Sequence, residues 1–446
     1  MAYFDYLIIG GSAAGTTAAE NIRNLAPNAQ IAIITEEPHR LYSRILLPFY
    51  LKDKLAAEQL FLKPAQFYSE KNINLITSKR VVSVKPADKK VRTADGEEFS
   101  YSKLLLATGG KVNKWPSAQK ASRPGGEVGG AEKSGIFYLR TYEDGIAIRE
   151  VMREAKKAVV IGGGFISLEF TTSFVLAGID TTVLVRDPYY WANILDEPSG
   201  NLISKTLKKN GAKVLTNEEV AQVEGPTTPA LRGVNNSQVK GVLTKKGQRL
   251  AADMIGVGVG IHIDLDYLAG SEIATRRGIL TNEFLETNVP DVFAAGDAAE
   301  FYDILFGRRH MMGNWANAVA QGEAVALNMI VGDKPSLPSQ NSGKRLAVSD
   351  KRAFETASTY SINFFEGNVS FVGVADAKAA DNIVVRGKAE DGSMCRILLK
   401  NNRIIGATLV NRAKEQAALV NLVKKKVDVG NFLDKLKDSD FDLAQI

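Results

Sequence analysis

Two stretches of the chain hold the residue types and spacing that chemistry needs. They are Tyr6-Leu-Ile-Ile-Gly10-Gly-Ser-Ala-Ala-Gly15 and Val159-Val-Ile-Gly162-Gly-Gly164-Phe-Ile-Ser167-Leu-Glu169. In each, an apolar run meets a cluster of glycines, and small or apolar residues then open a helix. A strand entering a helix through such a turn directs the first-turn N–H groups and the positive end of the helix dipole at one point, which suits a pyrophosphate. Gly10 makes the tight turn, and Ser12, Ala13 and Ala14 stand where backbone would approach the phosphates. Gly15 allows close packing of helix and strand. Ser12 replaces the second glycine of the pattern. In the second copy Gly162 and Gly164 keep the first two glycines, Ile166 follows on the helix, and Ser167 replaces the third, which is expected to loosen helix–strand packing slightly.

Further candidates sit at the ends of other apolar runs. Residues 30–35 read as a strand ending at Glu36, at the distance from Gly15 expected of an acid that accepts from adenosine ribose hydroxyls. A pair of glutamates at a strand end can also be a solvated edge; the preceding strand–turn–helix favours the ribose role. Residues 181–186 end at Arg186, which could meet a 2′-phosphate, although Asp187 beside it blunts that reading. A buried strand over 103–106 ends in Ala107, Thr108 and Gly109, small enough for backbone to pass close to a ligand. In the strand over 253–258 glycines alternate with larger residues up to Gly258, as in a strand pressed against a cofactor or a neighbour. The run 287–297 ends at Gly296 and Asp297, and an alanine-rich buried helix follows from Trp315.

The elements that must position these residues suggest the fold. With 446 residues the chain should hold two or three domains, and 45% apolar with 24% charged residues is the balance of an ordinary globular protein. The expected class is α/β: two Rossmann-like three-layer dinucleotide-binding domains and a C-terminal α+β domain. Residues 1–113 and 263–332 form the first domain, which is discontinuous, 114–262 the second, and 340–446 the third. Residues 113–135 read as a linker or mobile loop, and a polar break is expected at 333–342.

There is one cysteine, Cys395, so an intramolecular disulfide and a thiolate metal cluster are excluded; its apolar setting reads as a buried core thiol. His39, His262 and His310 make no ligand spacing and no metal site is expected; exposed loop histidines are the reading for His39 and His310. The first apolar run lacks a basic leader and enters the glycine turn, so it reads as a strand and not a signal peptide. No stretch approaches the roughly 18 apolar residues of a membrane span. A cytoplasmic protein is expected, and the net charge of +6 suits an acidic protein partner or has no meaning. No nucleic-acid partner is expected.

Together these stretches resemble the two-dinucleotide-domain flavoprotein reductases of the pyridine nucleotide–disulfide oxidoreductase superfamily. The likeness is strongest to the ferredoxin/rubredoxin-reductase and nitrite-reductase-flavoprotein branch. The resemblance implies FAD on the first turn, with Glu36 at the adenosine, backbone of Val81 at the adenine edge, and Ala107, Thr108 and Gly109 near the flavin. It implies that Asp297 accepts from the ribityl hydroxyls, as a carboxylate can in charge-assisted bonds. It further implies NAD(P)H as co-substrate on the second turn, with Phe165 an aromatic that covers the flavin until nicotinamide displaces it and Glu169 an acceptor from the nicotinamide amide.

The Tyr-x-Arg at Arg44 resembles that branch, where the arginine helps hold the flavin or its phosphates; Phe49 stands where a lysine often follows. Trp315 with Gln321 and Gly322 matches the helix start that lies under the flavin ring. Disulfide reductases of the superfamily carry a redox cysteine where this chain has Ile45. Electrons are therefore expected to pass from NAD(P)H through FAD directly to a small iron–sulfur or rubredoxin-type protein. The alternatives are oxygen as acceptor, or a slow flavoprotein whose nucleotide-bound state governs assembly. The C-terminal region suggests dimers, while some members of the branch are monomers.

Overall fold

The computed structural model describes residues 1–115, 135–225, 239–331 and 351–446. The linker expected at 113–135 lies outside the described residues from 116 to 134, and the polar break at 333–342 lies wholly outside them. The chain divides into two units: Met1–Ser43, Phe61–Lys111 and His262–Ser358 in one, and Arg44–Leu60, Val112–Ile261 and Thr359–Ile446 in the other.

The first unit is built on a seven-stranded sheet. The strand Ala2–Ile9 lies between Ile31–Ile34 and Glu98–Leu106 and is parallel to both; Val292–Ala294 adds parallel to Glu98–Leu106. Both faces of the first strand are covered, which explains its unbroken apolar run. Tyr6 and Ile8 pack with Ala13, Ala18 and Ile22 of the helix Ala13–Leu25, and with Val325 and Met329 of the helix Trp315–Val331. Leu7 and Ile9 pack on the other face with Val84, Val91 and Ile279. Small residues let the two helices approach: a Cβ on Gly322 would lie 2.6 Å from the Ala14 carbonyl oxygen.

The second unit repeats the pattern. A five-stranded sheet runs in the order Lys213–Thr216, Asp180–Val185, Lys157–Ile161, Met254–Val257, Ile136–Phe137, all parallel. The helix Phe165–Leu176 follows its glycine turn. The same unit holds a five-stranded antiparallel sheet from the C-terminal region, ordered Thr359–Phe364, Gly367–Gly373, Arg403–Val410, Ser393–Lys400, Asn382–Lys388. Gln416–Lys424 and Leu433–Lys437 are its helices. Cys395 is fully buried there, and burial pushes its thiol pKa up. Among the described residues no helix is long and apolar enough to cross a membrane, and no group of acidic, histidine or cysteine side chains could hold a metal.

Candidate functional site

Strand register assembles the first site. Ile9 is aligned with Ile34 on one side and Leu106 on the other, and Leu106 with Ala294. The residues just past those four ends are Thr35 and Glu36, Gly10, Ala107 and Thr108, and Ala295 to Asp297. They stand side by side at the carboxyl edge of the parallel sheet, the place where such sheets take ligands. The ladder continues into the turns: Gly10 N–H donates to the Ile34 carbonyl at 2.8 Å, Ala107 N–H to Ile9 at 2.8 Å, and Ala295 N–H to Leu106 at 3.1 Å.

At Gly10 the glycine is a steric requirement. Its φ is +115°, and a Cβ would lie 2.1 Å from the Ala107 carbonyl oxygen. Gly15 is pressed as closely, with its Cβ position 1.9 Å from the Gly10 carbonyl oxygen. Gly296 meets the opening helix, since its Cβ would stand 3.3 Å from Ala14 Cβ. Its N–H donates to Gln321 Oε1 at 2.7 Å, so the helix that begins at Trp315 holds the Gly296–Asp297 turn. Gln321 is fully buried and its Nε2 has no partner among the described residues.

These observations fit a bound FAD: backbone pressed close beneath a helix N-terminus, carboxylates of Glu36 and Asp297 at the same edge, and a buried amide donor left over. Glu36 is exposed, with Arg80 Nε 4.0 Å from its carboxylate. Trp315 is half-buried at the first position of its helix, which Asn314 caps by accepting from Asn317 N–H at 2.9 Å. Val81 is buried and pairs with Thr93. Thr108 Oγ1 is 3.3 Å from the Tyr267 hydroxyl.

His310 differs from the exposed loop histidine expected. It ends the short strand Arg308–His310, its side chain is only 14% exposed, and Nε2 is 3.0 Å from Oδ2 of the fully buried Asp303. Phe301 and Phe306 flank its ring. A sequence gives no sign of such a pair, because the hairpin brings the two residues together.

The second site repeats the edge. Ile161 is aligned with Leu184 and with Val257. Gly162 N–H donates to the Leu184 carbonyl at 3.0 Å and Gly258 N–H to Ile161 at 2.8 Å. Gly162 has φ +122°, with its Cβ position 2.3 Å from the Gly258 carbonyl oxygen. Helix and strand stay close at Ser167, against the slight loosening of their packing expected there. The close approach has moved to the strand: a Cβ on Gly258 would lie 2.6 Å from Ser167 N, and one on Gly256 2.8 Å from the Phe170 ring. The alternating glycines over 253–258 therefore make room for the helix. Arg186 is exposed, with Nε 3.5 Å from Asp187 Oδ1.

Glu169 lies one turn after Phe165 on the same helix. It keeps some surface exposure, yet enough protein surrounds its carboxyl that loss of water pushes the pKa up to about 8, with the charge of Lys52 opposing that shift. Burial lowers the Lys52 ammonium, Glu169 acts to raise it, and Lys54 to lower it. The sequence gives no sign of this Lys52–Glu169 interaction. Lys52 lies just beyond the end of the short helix Leu47–Leu51. Arg44, just before that helix, donates from Nη1 to the Arg140 carbonyl at 2.5 Å.

Two Rossmann-type edges of the same design, each with a glycine turn and a carboxylate, followed by an α+β domain, define a two-nucleotide oxidoreductase fold. The chain belongs to the pyridine nucleotide-disulphide oxidoreductase family, whose model matches residues 4–322; a reductase C-terminal model matches residues 363–446. Members of this family are oxidoreductases that use FAD and NAD(P)H.

The chain is 26% identical to a rubredoxin-NAD(+) reductase of Pseudomonas putida over 94% of its own length and 98% of the relative's. It is 27% identical to the nitrite reductase [NAD(P)H] of Bacillus subtilis over 95% of its length, but spans only 47% of that larger protein. The solved structure of a covalent putidaredoxin reductase–putidaredoxin complex matches with a TM-score of 0.86 at 25% identity, covering 100% of this chain and 98% of that one.

Proposed function

We propose that the chain is an FAD-dependent NAD(P)H oxidoreductase that passes electrons to a small ferredoxin- or rubredoxin-type protein without a cysteine relay. The observation that carries this is the duplicated edge: Gly10 and Gly162 make the same turn, with the same hydrogen bond to a neighbouring strand. The single cysteine, buried in the C-terminal sheet, supports direct transfer. FAD, when bound, supplies the step from hydride acceptance to the release of single electrons.

The protein's part is binding and electrostatics. Residues 1–113 and 263–332 hold FAD: the turn from Gly10 through Ser12, Ala13 and Ala14 to Gly15 faces the pyrophosphate. Glu36 accepts from the adenosine ribose, Val81 meets the adenine edge, and Ala107, Thr108, Gly109, Gly296 and Asp297 line the ribityl and ring end. Trp315 flanks the flavin, and Arg44 helps hold the flavin or its phosphates. Residues 114–262 take the nicotinamide nucleotide on Gly162, Gly164, Phe165, Ile166 and Gly258. Arg186 faces the adenosine ribose and Glu169 holds the nicotinamide amide. Residues 340–446 form the C-terminal domain. The near absence of cysteine suits a cytoplasmic location.

Anaerobic addition of NADH and of NADPH to the purified, flavin-loaded protein, followed by a ferredoxin and then a rubredoxin, tests the reading. Bleaching of the flavin band by at least one nucleotide and its return on addition of an acceptor is expected; a flavin that neither nucleotide bleaches overturns it.

A further inference from the structure

The second glycine turn is not supported by its own domain alone. Phe165, the first residue of its helix, meets Trp191 edge-on with ring centres 4.2 Å apart and an interplanar angle of 86°. It also meets Tyr360 at 4.8 Å and Phe371 at 6.0 Å. Tyr360 and Phe371 are cross-strand partners in the C-terminal sheet and stack on each other at 4.6 Å and 19°. Trp191 closes the group, 5.2 Å from Phe371.

Trp191 is buried and has φ +64°, a left-handed conformation that a bulky side chain adopts only when its surroundings impose it. Those surroundings include more of the C-terminal sheet. Asp196 caps the helix Glu197–Lys209 and meets Arg396 Nε at 3.3 Å, while Ser199 Oγ is 3.3 Å from Met394 Sδ. The segment leading away from Arg186 is thus tied to the C-terminal sheet by rings, by an ion pair and by a sulfur contact.

We propose that the C-terminal sheet is a positioning element of the nicotinamide-nucleotide site, with Tyr360 and Phe371 as positioning residues that fix Phe165 and Trp191. The assignment rests on the second turn being the nucleotide site. Phe165 sits where the helix presents its first free N–H groups, so a ring locked on three others removes motion that binding would otherwise have to freeze. Such preorganisation appears as affinity. It also makes Phe165 a fixed wall of the site in the absence of nucleotide, in place of a side chain that swings freely.

The test compares the full-length, flavin-loaded protein with Tyr360→Ala, Tyr360→Phe and Phe371→Leu. Hydrogen exchange at amides 165–168 is read without nucleotide, and KM and kcat are read with NADH or NADPH. In Tyr360→Ala exchange at these amides accelerates, and KM rises about 3- to 10-fold, the value of one aromatic pair, while kcat stays within about twofold. Tyr360→Phe restores both readings, because the ring and not the hydroxyl makes the contacts.

Unchanged exchange in Tyr360→Ala, or faster exchange with an unchanged KM, overturns the proposal. Phe371→Leu gives the same two readings if Tyr360→Ala does not fold. A wild-type protein that oxidises neither nucleotide defeats the functional reading instead, and the exchange measurement still decides whether Tyr360 holds the turn.

Discussion

Ser167 and Gly164 close a small ring at the second turn. Ser167 Oγ accepts from Gly164 N–H at 2.8 Å and donates to the Gly164 carbonyl at 2.7 Å. The hydroxyl of Tyr190, itself fully buried, lies 3.0 Å from Ser167 Oγ and 3.4 Å from the Gly164 carbonyl oxygen, to which it can donate. In the first turn the equivalent position is Gly15, whose Cβ position is blocked by the Gly10 carbonyl. The two turns therefore reach one backbone shape by different means. The first removes a side chain so that helix and strand touch, and the second keeps a side chain that holds the turn itself.

Ser167→Gly accordingly destabilises the protein although glycine is what the pattern calls for. It leaves the buried Tyr190 hydroxyl only its 3.4 Å bond to the Gly164 carbonyl, removes the tie on Gly164 and adds backbone freedom in a helix. A loss of about 1–3 kcal/mol in urea unfolding is expected, with weaker nucleotide binding and unchanged flavin content.

What could be read from the sequence follows the range of the interactions. Gly10, Gly15 and Gly162 were legible because the steric demand on each comes from residues that any strand–turn–helix places there. The carboxyl-edge positions of Glu36, Ala107 and Asp297 were legible because each ends an apolar run, and parallel strands align their ends. Lys52 was not, because its interaction with Glu169 depends on where a five-residue helix points. Neither was the group of Phe165, Trp191, Tyr360 and Phe371, drawn from three separate stretches, nor the pairing of His310 with Asp303. For Ser167 the composition was read correctly and its consequence was not: the room that glycine would have provided on the helix is provided on the strand by Gly256 and Gly258.

The raised pKa of Glu169 gives a pH dependence of defined sign. The folded protein holds this proton up to about pH 8, whereas an unfolded chain releases it near pH 4.3. The group's contribution to stability is therefore complete below the unfolded value and is lost as pH rises through about 8. Between about pH 6 and pH 9, wild-type protein should lose more stability than Glu169→Gln, which has no proton to release. KM for the nicotinamide nucleotide should show an inflection near the same pH that the Gln variant lacks. Lys52→Met should move that inflection upward, because it removes the charge that favours the carboxylate.

Replacing the first glycine of each turn should separate the two sites. In Gly162→Ala the new Cβ meets the Gly258 carbonyl oxygen and φ +122° is strained, so the second turn must shift. The purified variant should retain FAD and its spectrum while NAD(P)H no longer bleaches it. Gly10→Ala meets the Ala107 carbonyl oxygen in the same way and should emerge without FAD. Either variant should cost about 2–4 kcal/mol of stability. An exchange of the two phenotypes would reverse the assignment of the nucleotides.

Gln321 offers a test of the FAD edge that does not touch a glycine turn. Its Oε1 accepts from Gly296 N–H, and its Nε2 is buried without a partner among the described residues. In Gln321→Leu the amide donor disappears and the Gly296 N–H loses its acceptor inside the protein. That should destabilise the Gly296–Asp297 turn by about 1–3 kcal/mol, or about 5- to 150-fold in FAD affinity. The dissociation constant comes from flavin fluorescence recovered on dilution. Gln321→Glu keeps the acceptor for Gly296 and replaces the donor, so it separates the two halves of the side chain. If Glu retains FAD as wild type does, the bond to Gly296 is the whole contribution.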